Sequence, residues 1–122
     1  MGWVHLTDWK SYDKAKEREL LSFIREAKEI VSRMDEPWSR HVMGRPPYDS
    51  KTLVVVRLLK EYMRMPYRDV ESFLKSSYSI RRELGLNKVP DFKTIQRTME
   101  RLSEDYLKKL NRRLGHRFQL AR

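Results

Sequence analysis

Apolar residues recur at spacings of three and four positions along most of this chain. One stripe consists of Leu20, Ile24, Ala27, Val31 and Met34. A second stripe consists of Phe92, Ile95, Met99 and Leu102. Such spacings place apolar side chains on one face of an α-helix, and no stretch shows a convincing strand pattern. The sequence therefore predicts an all-α protein of about six helices, with an N-terminal amphipathic helix and a helix-turn-helix-like core.

The second predicted helix carries the longest apolar run of the chain, at residues 53–56. Asp49 is a suitable N-cap for this helix, which is expected to extend through Arg64. Its polar residues are Arg57, Lys60, Glu61 and Arg64. Their spacing places them on one narrow stripe, so we expect an exposed polar stripe on an otherwise buried central helix.

Local signals divide the rest of the chain into shorter helices. Pro66 suits the first turn of a third helix, which the serine-rich stretch 76–79 interrupts. A short helix is expected over residues 80–84. Asp91 is a suitable N-cap for a further helix. Ser103, followed by two acidic residues, either restarts a helix or continues that one.

The charge of the chain is strongly positive and unevenly distributed. The 122 residues include 27 Lys and Arg against 17 Asp and Glu, which gives a formal net charge of +10. Residues 1–40 contain 8 basic and 8 acidic residues, so the whole excess lies further along the chain. Such a distribution indicates a polyanionic partner for the basic part, with nucleic acid first.

Several function classes lack the residues that they need. The chain has no cysteine, and His5, His41 and His116 are not at metal-ligand spacing from one another. The apolar run 53–56 is too short to span a bilayer, and no enzyme signature occurs. We therefore expect a cytoplasmic, nucleoid-associated protein that is not an enzyme and that uses no cofactor, metal, membrane or small-molecule substrate.

The distribution of charge and the positions of proline and glycine indicate four regions. Residues 1–40 form a charge-neutral amphipathic helix region, 41–48 a proline-rich linker or helix entry, 49–114 a helical DNA-binding domain and 115–122 a basic C-terminal tail. The amphipathic stripe of the first region packs either on its own chain or on a second copy. In the second case Leu20, Ile24 and Val31 form a homodimer interface.

The predicted helix after Asp91 carries the strongest binding signal. Opposite its apolar face lie Lys93, Thr94, Gln96 and Arg97. A helix that enters the major groove of DNA needs one face packed on its own domain and another that offers donors to base edges. Gln96 suits adenine and Arg97 suits guanine, while Lys93 and Thr94 suit phosphate or base contacts.

Other cations are candidates for contacts with the DNA backbone. The phosphate candidates are Arg45, Lys51, Arg81, Arg82 and Arg101. Two recognition helices remain possible, because Arg81 and Arg82 lie in the short helix 80–84, whereas the main candidate is 92–102. Tyr62, Tyr78 and Tyr106 are interpreted as core or boundary residues, since no RNA-binding aromatic motif accompanies them.

Four short motifs in a fixed order carry a family resemblance. They are Gly44-Arg45-Pro46-Pro47-Tyr48-Asp49, Tyr67-Arg68-Asp69-Val70-Glu71, Leu84-Gly85-Leu86-Asn87 and Val89-Pro90-Asp91-Phe92-Lys93-Thr94-Ile95. With them, residues 44–102 resemble the amino-terminal domain of DDE-type insertion-sequence transposases, of the insertion-sequence-five-like kind. No motif of that family was identified in residues 1–40.

The resemblance implies a function in DNA recognition. In that family the corresponding segment is a helix-turn-helix-like domain that recognises terminal inverted repeats, and a separate RNase H-like domain carries an Asp, Asp and Glu triad on two metal ions. The sequence ends at Arg122 without strands for such a triad, so we expect sequence-specific binding of double-stranded DNA without strand transfer. The alternative is a protein-interaction or oligomerisation module, such as an inhibitor or partner of an intact transposase.

Overall fold

Six helices follow one another in the computed structural model, which describes residues 9–38, 48–116 and 118–121. They are α1 (Trp9–Ser32), α2 (Ser50–Met63), α3 (Tyr67–Ser76), α4 (Tyr78–Leu84), α5 (Phe92–Arg101) and α6 (Glu104–Leu114). The described residues contain no strand, so the all-α prediction is confirmed. None of the described helices is both long enough and apolar enough to cross a bilayer.

The predicted N-caps are formed by the expected side chains. Asp49 Oδ2 accepts a hydrogen bond from Thr52 N at 3.1 Å, at the start of α2. The Ser103 hydroxyl accepts one from Tyr106 N at 3.0 Å, which separates α6 from α5. Helix α2 ends at Met63 and is capped by Arg64, whose φ of 56° lies in the left-handed region. In this conformation the Arg64 N–H donates to the Glu61 carbonyl.

Helix α2 forms the centre of the core. Val54, Val56, Leu58 and Leu59 are fully buried. Helix α1 packs along α2 and also contacts α4 and α6, whereas α5 packs on α2 and α3. The continuous apolar run therefore reflects a helix that is covered by neighbours on several sides.

The amphipathic stripe of α1 packs inside its own chain. Leu20, Ile24 and Val31 belong to the same buried cluster as the apolar residues of α2, α4 and α6. This packing decides between the two alternatives left by the sequence for the stripe. A homodimer stays a prediction, but these three side chains are already covered and a second copy would have to contact other residues.

The prediction of an exposed polar stripe on α2 is wrong at Arg57. This residue is only 5% exposed, whereas Lys60 and Glu61 are half-buried and Arg64 is exposed. The Tyr67 ring of α3 lies 5.5 Å from the Arg57 guanidinium carbon, so a side chain from another helix contributes to the cover of the arginine. The spacing of polar residues along α2 does not reveal that a side chain of another helix lies over Arg57.

The boundary between α3 and α4 differs from the prediction. A single residue, Ser77, separates the two helices, and α4 begins at Tyr78 rather than at residue 80. Tyr78 is 67% exposed, so its interpretation as a core or boundary residue is wrong. It lies on the first turn of α4, where one side of the helix faces solvent. Tyr106 is buried, and Tyr62 is half-buried as expected.

The chain after α6 folds back onto that helix. Leu120 is buried, its N–H donates to Asn111 Oδ1 at 2.7 Å, and its carbonyl accepts from Asn111 Nδ2 at 2.8 Å. Phe118 packs edge-on against Phe23, with ring centres 5.6 Å apart. The predicted basic tail 115–122 is thus attached to the core through residues 118–120. Most of the predicted linker, residues 41–47, lies outside the described residues.

Candidate nucleic-acid interface

Helix α5 separates an apolar face from a polar face. Ile95 is completely buried, and Thr98 and Met99 are buried beside it against α2 and α3. Lys93, Gln96 and Arg97 are exposed on the opposite side. Within the part of the chain that the structure describes, Gln96 and Arg97 form no hydrogen bond or close ion pair. We call the surface formed by Lys93, Gln96 and Arg97 the α5 polar face.

Two carboxylates fix the start of α5. Asp91 Oδ1 accepts from Thr94 N at 2.8 Å, and this backbone hydrogen bond holds the pKa of Asp91 below its ordinary value. Glu71 of α3 accepts from Phe92 N at 2.8 Å through Oε1 and from Lys75 Nζ at 2.8 Å through Oε2. The Lys75 bond, followed by the Phe92 bond, lowers the pKa of Glu71.

These contacts also decide what the first turn of α5 can bind. The N–H groups of Phe92 and Thr94 are already bonded to carboxylates, which carry negative charge at neutral pH. A phosphate at this end of the helix would therefore depend on the side chain of Lys93 rather than on these two N–H groups. The side chains of α5 are thus better placed than the backbone of its first turn to meet an anionic ligand.

Helix α3 packs against α5, and α4 lies between them in the sequence. Residues 85–91 connect α4 to α5, so the connection between α3 and α5 is much longer than the turn of three or four residues in a helix-turn-helix motif. Gly85 begins it with a φ of 76°, a conformation that glycine adopts without strain.

Helix α4 is fixed to α1 by polar contacts. Glu83 accepts from Arg25 Nε at 3.0 Å, and its carbonyl accepts from Lys28 Nζ at 2.6 Å. The Arg81 Nη1 atom donates to the carbonyls of Leu74 and Lys75, both at 2.6 Å, at the end of α3. Arg81 therefore completes the C-terminus of α3, whereas Arg82 is exposed.

The other candidate residues are found in different settings. Lys51 is half-buried and donates to the Ser32 carbonyl of α1 at 3.4 Å. The guanidinium carbon of Arg101 lies 5.4 Å from the Trp38 ring centre, and Thr94 is half-buried. Arg45 lies outside the described residues. The structure thus brings Lys93, Thr94, Gln96, Arg97 and Arg101 together on α5 and leaves the remaining cations on other elements.

Sequence reasoning missed Arg68, which lies next to the start of α5. Its guanidinium carbon is 4.8 Å from the Phe92 ring centre, and the residue is exposed. The signal was present, because Arg68 follows Pro66 and therefore falls in the exposed first turn of α3. Its neighbour on α5, Phe92, is however 24 positions away in the sequence and could not be identified from spacing within one helix.

A separate groove of about 790 Å³ lies between α1, the end of α2 and the segment after α6. Its aromatic wall consists of Phe23, Tyr62 and Phe118, with the Phe23 and Tyr62 rings stacked at 4.1 Å. Carboxylates also line it, at Glu19, Glu26 and Glu61, together with Arg64. The sequence did not predict this groove, because the segment that closes it returns from beyond α6.

The described residues contain no group of three or more histidine, aspartate or glutamate side chains that could hold a metal ion.

Comparison with curated proteins and with solved structures gives no match. Comparison with protein families gives a match over residues 4–101 to the family described as "Transposase domain (DUF772)". The match includes α1 through α5, and so extends well before the motifs that begin at Gly44. The match covers most of the 122 residues, and the chain therefore belongs to this transposase domain family.

Proposed function

We propose that this transposase-family domain binds double-stranded DNA in a sequence-specific manner and inserts the α5 polar face into the major groove. Arg97 would contact guanine and Gln96 adenine, because these side chains match the donor and acceptor pattern of those bases. Lys93 and Thr94 would contact the adjacent phosphates or bases. The site recognised is a terminal inverted repeat or a regulatory sequence derived from one.

The two-faced character of α5 is the observation that carries this proposal. The buried Ile95 and Met99 fix the helix on α2 and α3. Gln96 and Arg97 are exposed and form no hydrogen bond or close ion pair in the described part of the chain. Side chains that are neither packed nor hydrogen-bonded keep their donors for a ligand. A rigid helix with such a row is the arrangement that reads base edges in helix-turn-helix proteins.

We assign the recognition role to α5 and the supporting role to α3, in a helix-turn-helix-like pair with α4 inserted between them. The alternative recognition helix, α4, is supported less well. It has only seven residues, and Arg81 is bonded to the end of α3. Arg82 remains available, so we place Arg82 with Arg101, Arg45 and Lys51 among the phosphate contacts.

A binding titration with variants of α5 tests the proposal. Duplexes selected from a random pool give the preferred site, and fluorescence anisotropy then measures the affinity of each variant for that site and for its single-base changes. We expect Arg97→Ala to lose about 1 to 3 kcal/mol of discrimination at one base position. Binding of the parent protein should also weaken steeply with salt, with a log–log slope near −5 if about six phosphates are contacted.

The matched control is Arg33→Ala on α1. Arg33 is 71% exposed and paired with Glu29 at 2.6 Å, so its loss removes the same charge far from α5 in the sequence. Base preference in the Arg33→Ala protein should equal that of the parent. If Arg97→Ala and Gln96→Ala both keep the parent's preference at every position, the assignment of α5 is wrong.

The same assays address strand transfer and the alternative function. We expect no cleavage or joining of a bound duplex in the presence of Mg²⁺, and magnesium-dependent cleavage would contradict the proposal. The acidic aromatic groove favours the alternative, a protein-interaction module, since its three glutamates suit a cationic segment of a partner. Oligomerisation without duplex binding, measured by light scattering, would support that alternative.

A further inference from the structure

Helix α6 carries a group of cations that the fold does not neutralise. Lys108, Arg112 and Arg113 are exposed, and they form no ion pair, hydrogen bond or ring contact with the described residues. Lys109 lies among them and is paired with Asp105 at 3.1 Å. We call Lys108, Arg112 and Arg113 the α6 cationic face.

The cations of α1 show the opposite arrangement. Lys16 pairs with Glu19 at 2.9 Å, Arg33 with Glu29 at 2.6 Å, and Arg25 with Glu83 at 3.0 Å. A surface that serves only solubility can intersperse both signs in this way. On α6, however, Glu104 and Asp105 are confined to the first turn, so the later turns present a single sign of charge.

Stabilisation of the helix end favours Arg112 and Arg113, which lie in the last turn of α6, but it does not account for the whole group. The side chain of Gln119 donates to the carbonyls of Asn111 and Gly115, so the C-terminus of α6 already has donors. Lys108 also lies more than a turn before the end, beyond the range in which the helix dipole is felt. The apolar side of α6, with Leu107 and Leu110 buried, holds the helix in place, so the cationic face has a fixed position.

We propose that the α6 cationic face binds the phosphate backbone of the same duplex that α5 reads. This inference rests on the proposed function of α5. Only Leu102 and Ser103 separate the two helices, and the eleven residues of α6 span about 16 Å. That length is less than half of one DNA turn, about 34 Å, so the spacing of the two helices is compatible with contacts from both to one duplex. Such contacts strengthen binding to every sequence alike.

The test compares two triple variants of the full chain. In the first, Lys108, Arg112 and Arg113 are each replaced by glutamine; in the second, Lys16, Arg25 and Arg33 are each replaced by glutamine. Both remove three positive charges from exposed positions. The salt dependence of duplex affinity is measured by fluorescence anisotropy on the selected site and on an unrelated duplex, after circular dichroism has shown that each variant is folded.

We expect the α6 variant to lower the magnitude of the log–log salt slope by about 2 to 3 on both duplexes, since each phosphate contact contributes about 0.9. The α1 variant should keep the parent's slope. Equal slopes for the two variants would overturn the proposal for α6. An α6 effect together with unchanged base preference in Arg97→Ala would instead leave α6 assigned and reject α5 as the reading helix. A parent protein that binds no duplex would overturn both.

Discussion

Replacing Arg57 by methionine should raise the free energy of unfolding by about 1 kcal/mol, although it removes an ion pair. Arg57 is buried on α2 beside the Tyr67 ring of α3, and its two Nη atoms each lie 3.4 Å from Glu61 Oε1. Both distances are at the long limit for a hydrogen bond. The Nε atom is buried without any partner in the described chain.

The opposing contributions nearly cancel. At 3.4 Å and an effective dielectric constant of about 20, the attraction between Arg57 and Glu61 is about 5 kcal/mol before solvent screening. The side chain of Glu61 is 34% exposed, so water reduces this attraction. Burying the guanidinium costs several kcal/mol, and the unpartnered Nε adds about 1 to 3 kcal/mol. Methionine fills most of the same space and needs no hydrogen bond.

A double-mutant cycle with Glu61→Ala separates these contributions. In the parent, Glu61→Ala should lower the stability by about 2 kcal/mol, because it leaves the buried cation without its partner. In the Arg57→Met protein the same change should cost less than about 0.5 kcal/mol, as expected for an exposed glutamate. Urea is the suitable denaturant, since it does not screen charges as guanidinium chloride does.

Two results would refute this reasoning. If Arg57→Met lowers the stability by more than about 2 kcal/mol, the ion pair is a net stabilising interaction and the long distances do not reflect its strength. If Glu61→Ala costs the same in both backgrounds, the two side chains are not coupled, and Arg57 is stabilised by the Tyr67 ring alone.

Two further predictions concern buried and anchoring groups. Burial raises the pKa of Tyr106 to about 12, and its hydroxyl has no partner among the described residues. Tyr106→Phe should therefore raise the unfolding free energy by about 1 kcal/mol. It should also reduce the loss of stability expected from pH 10 to about 12, to which Tyr48 and Tyr62 contribute as well because folding raises their pKa values. Both effects are measured by urea unfolding. The pKa values of Glu71 and Asp91 are lowered by folding, so the stability that they contribute is complete above their ordinary values of 4.5 and 3.8 and is lost as pH falls below them. Urea midpoints taken from pH 6 down to about pH 3 should fall less in a Glu71→Gln, Asp91→Asn double variant than in the parent, and equal profiles would contradict the anchoring of α5.

Features encoded locally were predictable from the sequence. Helix α5 begins after Asp91 and exposes Gln96 and Arg97 because an N-cap and a spacing of three and four residues fix both its start and its faces. The same reasoning placed α2 after Asp49. It left open whether a helix restarts or continues at Ser103, where the structure begins α6. These signals lie within one helix and need no knowledge of its neighbours.

Features that depend on distant contacts were not predictable in this way. The polar pattern around Arg57 is that of an exposed stripe, whereas Arg57 is 5% exposed and lies beside the Tyr67 ring of α3. The return of Leu120 to Asn111 joins residues nine positions apart through side-chain bonds that no periodicity encodes. Family membership shows the same limit, because the match starts at residue 4 although the recognisable motifs start at Gly44.

Glu71 takes part in one contact within its own helix and in one contact with a distant part of the chain, the hydrogen bond from Phe92 N. Glu71 pairs with Lys75 four positions further along α3, which is a local contact between helical neighbours. The second oxygen of Glu71 accepts from the first N–H of α5, 21 residues away. These two helices are joined at one end by a hydrogen bond from a backbone N–H to a carboxylate and also by apolar packing, so they keep a fixed mutual orientation. A helix that reads base edges needs such an orientation, because the geometry of a bidentate contact tolerates little rotation. The rigidity of the α5 polar face therefore depends on a carboxylate outside that face.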